Sequence, residues 1–150
     1  MVSLVSSVFA SIAASRDYAY KNAGDMEYKH WIELQSLQAV TDCWLQLLSR
    51  TSHKISYFHC PVPLSAMPHL AAYLAPLREL YPVLRDHGCE LYLGLVHAGD
   101  LEGTKARIAE AQSVAPEFGV ATECGLGRTP VEDFEGITKD MVGVTRPVDV

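Results

Sequence analysis

Between Trp31 and Ser49 the apolar positions Leu34, Leu37, Trp44, Leu45 and Leu48 return at helical spacing, with Glu33, Gln35, Gln38, Asp42 and Gln46 between them. Residues three and four apart share one face of a helix, so the pattern predicts a surface helix over 31–49 with one buried stripe. Ile55 to His59 is short and rich in β-branched and aromatic residues, and Pro61 and Pro63 follow; a strand stopped by a loop is expected. Pro68 to His87 repeats Leu70, Tyr73, Leu74 and Leu77 at intervals of three and four, but Pro76 and Pro82 should break it into pieces, with Gly88 closing it. Glu90 to His97 is a nearly continuous apolar run, the signature of a strand covered on both faces.

Asp100 to Ala115 returns to helical character. Ile108 and Ala111 are expected inward, and Lys105, Arg107 and Glu110 outward. Pro116 ends that helix, Gly119 to Thr122 forms another buried strand, and Val131 to Val144 is a weaker helix diluted by Gly136 and Gly143. At the other end of the chain, Leu4, Val5, Val8, Phe9 and Ile12 lie on one helical face, which predicts an amphipathic helix. The rival reading of that stretch, a weak signal peptide, lacks a basic start because no Lys or Arg precedes Arg16. Strands alternating with helices imply a parallel sheet joined by crossovers, so the fold class is α/β.

Composition narrows this picture. The 150 residues are 49% hydrophobic, enough for a single domain with a real core over 1–150. Twelve Lys and Arg stand against 18 Asp and Glu, a net charge of −6, and no basic cluster tracks phosphates; nucleic acid is not the expected partner. No apolar run approaches the ~20 residues of a membrane span. Cys43, Cys60, Cys89 and Cys124 are widely spaced with no CxxC pair, which predicts reduced thiols and a cytoplasmic protein.

Each of the three strands ends in polar chemistry: His59-Cys60-Pro61, His97-Ala98-Gly99-Asp100 and Glu123-Cys124-Gly125-Leu126-Gly127-Arg128. Ligands of parallel α/β folds bind at the carboxyl ends of strands, so these groups are expected to face one cleft. A thiolate with imidazoles and a carboxylate is a zinc ligand set, and Cys124, His59, His97 and Glu123 supply those types. On the residues alone the plainer reading is the stronger: each histidine caps its strand by hydrogen bonding and Cys124 is a small packed residue. Cys124 with His97 as nucleophile and base lacks an orienting third residue, and Gly125-Leu126-Gly127-Arg128 as an anion cradle is a weak motif. Asp100 is expected to be a helix N-cap.

The segments ELYLGLVHAGDLEGTKARIAEAQ (90–112), PEFGVATECGLGR (116–128), YFHCPVP (57–63) and, more loosely, GDMEYKHW (24–31) resemble the cobalamin-independent methionine synthase family, part of the methionine synthase and uroporphyrinogen decarboxylase-like superfamily. The resemblance covers most of residues 20 to 130. It implies part of a (β/α)8 barrel, roughly its C-terminal half, since a whole barrel takes about 250 residues. In such synthases zinc binds a substrate thiolate that accepts a methyl group. The resemblance therefore assigns Cys124 and His59 to a metal, with zinc as the cofactor, and matches His97 to a histidine near the substrate; the strand-end reading adds Glu123 and Arg128 to the expected catalytic set, Arg128 to hold a substrate carboxylate. The family's earlier His-x-Cys zinc pair falls at Tyr20 and Asn22, neither of which is a zinc ligand type in this family's pattern.

The expectation is thus a methionine synthase-like protein that binds or acts on a small anionic or thiol-bearing metabolite, in a specialised pathway rather than in methionine synthesis. If it is an enzyme, methyl transfer or a lyase reaction is expected. The alternatives are a non-catalytic remnant serving as a binding module, and a metal-free decarboxylase. Open barrel edges would favour a homo-oligomer.

Overall fold

The computed structural model describes residues 34–123, 126 and 129–145. The N-terminal amphipathic stretch, Tyr20 and Asn22, and the residues Cys124 and Arg128 lie outside the described residues.

Helix α1, Gln38–Arg50, carries Thr41, Trp44 and Leu48 on its buried face. The predicted helix begins too early. Leu34 is 40% exposed and residues 35–37 form bends, because Leu37 leaves the helical ladder to donate its N–H to the Tyr73 carbonyl at 3.1 Å. Trp44 stacks at a tilt on Phe58 of the first strand, ring centroids 4.4 Å apart, which fixes α1 against the sheet.

Strand β1 is Tyr57–Pro61, two residues later than the periodicity places it. Pro61 belongs to the strand, where a terminator was expected. The Val62 N–H donates to Gly94 O across the pair, so the adjacent Pro61 nitrogen faces the other edge, where β1 has no neighbour among the described residues and no donor is needed. A 3-10 segment, Leu64–His69, leads into the short helix α2, Leu70–Leu74, and then α3, Leu77–Asp86.

Pro76 separates α2 from α3 as predicted, but Pro82 sits inside α3 without ending it. Pro82 is on the exposed face, where water can serve the carbonyl it leaves unpaired, while Leu77, Leu80 and Leu84 stay buried opposite. Gly88, at φ +63°, closes the helix: its N–H reaches Arg85 O at 2.9 Å and the Cys89 N–H reaches Leu84 O at 2.9 Å. That pair of bonds is the Schellman arrangement, and it aims the chain into β2, Glu90–Val96.

Helix α4, Leu101–Gln112, starts at Asp100, whose carboxylate accepts the Gly103 N–H at 3.1 Å; the expected N-cap is present. Strand β3, Gly119–Thr122, and helix α5, Val131–Val144, follow. All four β3 residues are only half-buried, so the strand is less covered than its apolar run suggests.

The three strands form one parallel sheet in the order β1-β2-β3. Phe58, Cys60, Leu91, Leu93 and Leu95 point into a single core with α1, α3 and the end of α4. The opposite face presents Tyr57, His59, Pro61, Tyr92 and Gly94. Helix α5 packs against β2 and β3, and its Ile137 is buried apart from the main core. No helix among the described residues is long and apolar enough to cross a membrane.

Candidate functional site at the strand ends

The register of β2 against β3 sets the site. Gly94 pairs with Ala121 but Val96 pairs with Thr122, so β2 contains one extra residue, Leu95, at its carboxyl end. A bulge of this kind bends a strand and redirects the side chains that follow it. Two residues on stands His97.

His97 is 8% exposed, and its Nε2 lies 2.9 Å from the Val62 carbonyl just beyond β1. A carbonyl only accepts, so Nε2 carries the hydrogen and, in the neutral ring, Nδ1 is bare. Nδ1 faces Glu123 Oε2 at 3.6 Å, an ion-pair distance too long for a hydrogen bond. Burial holds the His97 imidazole below its ordinary range; the Glu123 charge opposes this and the Arg107 cation reinforces it. The neutral ring is therefore the form present near pH 7, with a lone pair directed toward a carboxylate.

His59 is built in the same way. Its Nε2 lies 3.2 Å from the Thr122 carbonyl at the end of β3, and burial again lowers its pKa while that hydrogen bond partly offsets the effect. His59 belongs to β1, so its ring reaches past the middle strand to the far one. Gly94 makes that passage available. A Cβ on Gly94 would stand 2.7 Å from Thr122 O, 3.1 Å from Pro61 Cα and 3.2 Å from Glu123 Cα. Neighbouring strands are spaced about 4.8 Å apart, so a position this close to both requires β1 and β3 to lean toward the same face of the sheet.

The structure thus brings His97 and Glu123 together; His59, expected at a strand end, is the middle residue of β1 and reaches the site only through the Thr122 carbonyl next to Glu123. It describes neither Cys124 nor Arg128, and among the described residues no three His, Cys, Asp or Glu side chains form a group that could hold a metal ion. The two histidines still have the chemistry of ligands. A ring whose Nε2–H is anchored on a carbonyl offers Nδ1 in a fixed direction, the usual support for a metal-binding histidine.

One site component was misplaced by the sequence reading. Arg107, expected to face solvent, is 0% exposed. Its Nε donates to the Leu95 carbonyl at 2.7 Å, one terminal nitrogen donates to Asp100 Oδ2 at 2.8 Å, and the other donates to Thr104 Oγ1 at 3.0 Å. Thr104 Oγ1 lies 3.4 Å from the same Leu95 carbonyl. The bulged residue is fully buried, and a buried carbonyl must find a donor; the guanidinium is that donor. Asp100 balances the charge, and the Arg107 hydrogen bond holds its carboxyl below the usual range. The signal was in the spacing: Asp100, Thr104, Arg107 and Ala111 stand at i, i+4, i+7 and i+11, the buried face of α4.

Two of the other thiols, Cys60 and Cys89, are poor candidates for chemistry. Both are buried, which pushes Cys60 up to about 12 and, with the Glu90 charge contributing, Cys89 up to about 11. Comparisons with protein-family models, with curated proteins and with solved structures find no match.

Proposed function

We infer that the chain is a methionine synthase-like barrel protein whose strand-end cleft binds or transforms a small anionic or thiol-bearing metabolite. The observation that carries this is that His97 and Glu123 meet just past the carboxyl ends of β2 and β3, while His59, from the middle of β1, reaches the Thr122 carbonyl at the end of β3. The lean of β1 and β3 toward the face of Gly94 supports the barrel part of the reading, because a barrel sheet curls toward its interior.

In this reading His97 is the general base. A thiol, hydroxyl or water lodged beside Nδ1 and the Glu123 carboxylate gives its proton to the imidazole, and the carboxylate stabilises the imidazolium that forms. Arg128 binds an anionic group of the substrate. Cys124 follows Glu123 directly, and with His59 it would hold zinc, which when bound lowers the pKa of a substrate thiol. A specialised pathway suits the chain better than methionine synthesis, since Tyr20 and Asn22 stand where the family carries its His-x-Cys pair.

The test is the zinc content per chain of size-purified protein, measured beside Cys124→Ala and followed by a thermal-shift panel of thiol and carboxylate metabolites. Near-stoichiometric zinc that disappears in the variant, with stabilisation by a thiol, is the expected result. Metal-free, well-folded protein that responds to carboxylates alone would replace the zinc part with metal-free acid–base chemistry. No response to either class, or responses unchanged in His97→Gln, would remove the enzyme reading.

A further inference from the structure

The contacts of Arg107 go beyond what a helix needs in order to pack. Within one guanidinium they join the bulged carbonyl of Leu95, the N-cap carboxylate of Asp100 and the hydroxyl of Thr104; a fourth contact reaches Met67 Sδ at 3.6 Å. Leu95 and Asp100 flank His97 in the chain, two residues before it and three after. The turn between them is tight, with Gly99 at φ +68° and the Asp100 N–H on the His97 carbonyl at 3.3 Å. A planar fork that grips both sides of a short turn leaves the residue in the middle little freedom to rotate or slide.

We propose that Arg107 is a positioning residue for His97: by tying the β2 bulge to the N-cap of α4, it fixes the imidazole with Nε2–H on the Val62 carbonyl and Nδ1 toward Glu123. The proposal rests on the reading of His97 as the working base, because a single tautomer matters only if one nitrogen has a task. Arg107 itself touches no substrate. Its place is one layer below the cleft, with Asp100 as counter-charge and Thr104 as second donor to the strand.

The alternative is that Arg107 only stabilises the fold, and the two differ in what they do to one ring. Nitrogen NMR of the histidine side chains reads the tautomer directly, with His97→Gln identifying the resonances among the six histidines. The wild-type protein at neutral pH is expected to show one protonated nitrogen, Nε2, and one bare nitrogen, Nδ1. Arg107→Met should draw the two resonances toward each other as the tautomers mix. Arg107→Lys keeps a cation for Asp100 but cannot grip Leu95 as well, so it should show the same mixing; it carries the test if the methionine variant does not fold.

Leu80→Ala, a core truncation in α3 away from the network, supplies the comparison for lost stability alone and should leave the His97 pattern unchanged. A folded Arg107 variant with the wild-type His97 pattern would overturn the proposal. So would equal mixing in Leu80→Ala, since general loosening would then explain it. Failure of the catalytic reading shows elsewhere, as metabolite responses unchanged by His97→Gln while the tautomer result stands.

Discussion

Gly94 is the position at which a single atom decides whether the site exists. Its missing Cβ is the space that lets β1 and β3 approach and lets His59 reach Thr122, and the nearest obstacle to a methyl group is backbone, which cannot swing aside. Gly94→Ala is expected to push β3 away at a cost of about 1–3 kcal/mol, the range for overpacking, and to release the His59 ring from its carbonyl. Gly136 in α5 is the matched comparison, because a Cβ there meets nothing within 4 Å. Gly136→Ala should stabilise the protein by about 0.5–1 kcal/mol through helix propensity. Urea midpoints of the two variants moving in opposite directions would bear this out; a Gly94→Ala midpoint that does not fall would mean that the closeness at Gly94 is unimportant. The sequence marked Gly94 only as a glycine within an apolar run, since its neighbours at the strand ends are 33 and 28 residues distant in the chain.

At the scale of elements, Asp100 holds α4 by two separable means. Its carboxylate caps the helix at the Gly103 N–H and neutralises a guanidinium that has no exposure to water. Asn keeps an oxygen for the cap but removes the charge, so Asp100→Asn isolates the loss of the ion pair. About 3 kcal/mol is expected, the lower end for a broken buried pair, because the Asp100 side chain is itself 40% exposed. Asp100→Ala should cost about 1 kcal/mol more as the cap is lost too. Combining Asp100→Asn with Arg107→Met should cost less than the sum of the single changes, and additive costs in the cycle would show that the two residues act separately.

The cap was legible in the sequence because it depends on local chemistry: a short acidic residue directly before a helical pattern. The partner was not. Charge argued for solvent while spacing argued for the core, and the buried carbonyl that reverses the balance belongs to a bulge created by strand register, which no local pattern records. Pro82 and Pro61 were misjudged for the same kind of reason. Each sits where its missing N–H costs little, on a helix's wet face and on a strand edge with no neighbour among the described residues.

For the whole molecule, the titrating groups define a stability window whose two sides have different origins. His59 and His97 are held below their ordinary range chiefly by burial, so below about pH 6.5 the unfolded chain takes up protons that the folded one resists. Their contribution is fully present above the unfolded value and is lost as pH falls through the folded one. Asp100, depressed by its bond to Arg107, adds a second loss below about pH 4 by the same sign. On the alkaline side the order reverses. Cys60, pushed up to about 12, stays protonated when folded, so its contribution is complete below the unfolded value near 9 and is lost as pH rises toward 12. Thermal unfolding followed from pH 4 to pH 10 should therefore show a plateau between about 6.5 and 9 with a fall on each side. In His59→Gln and His97→Gln the acid fall should shrink, and in Cys60→Ala the alkaline fall should shrink while the acid one remains. An acid fall of unchanged depth in both histidine variants would mean that the rings are not held neutral by the folded protein, and the base assigned to His97 would lose its basis.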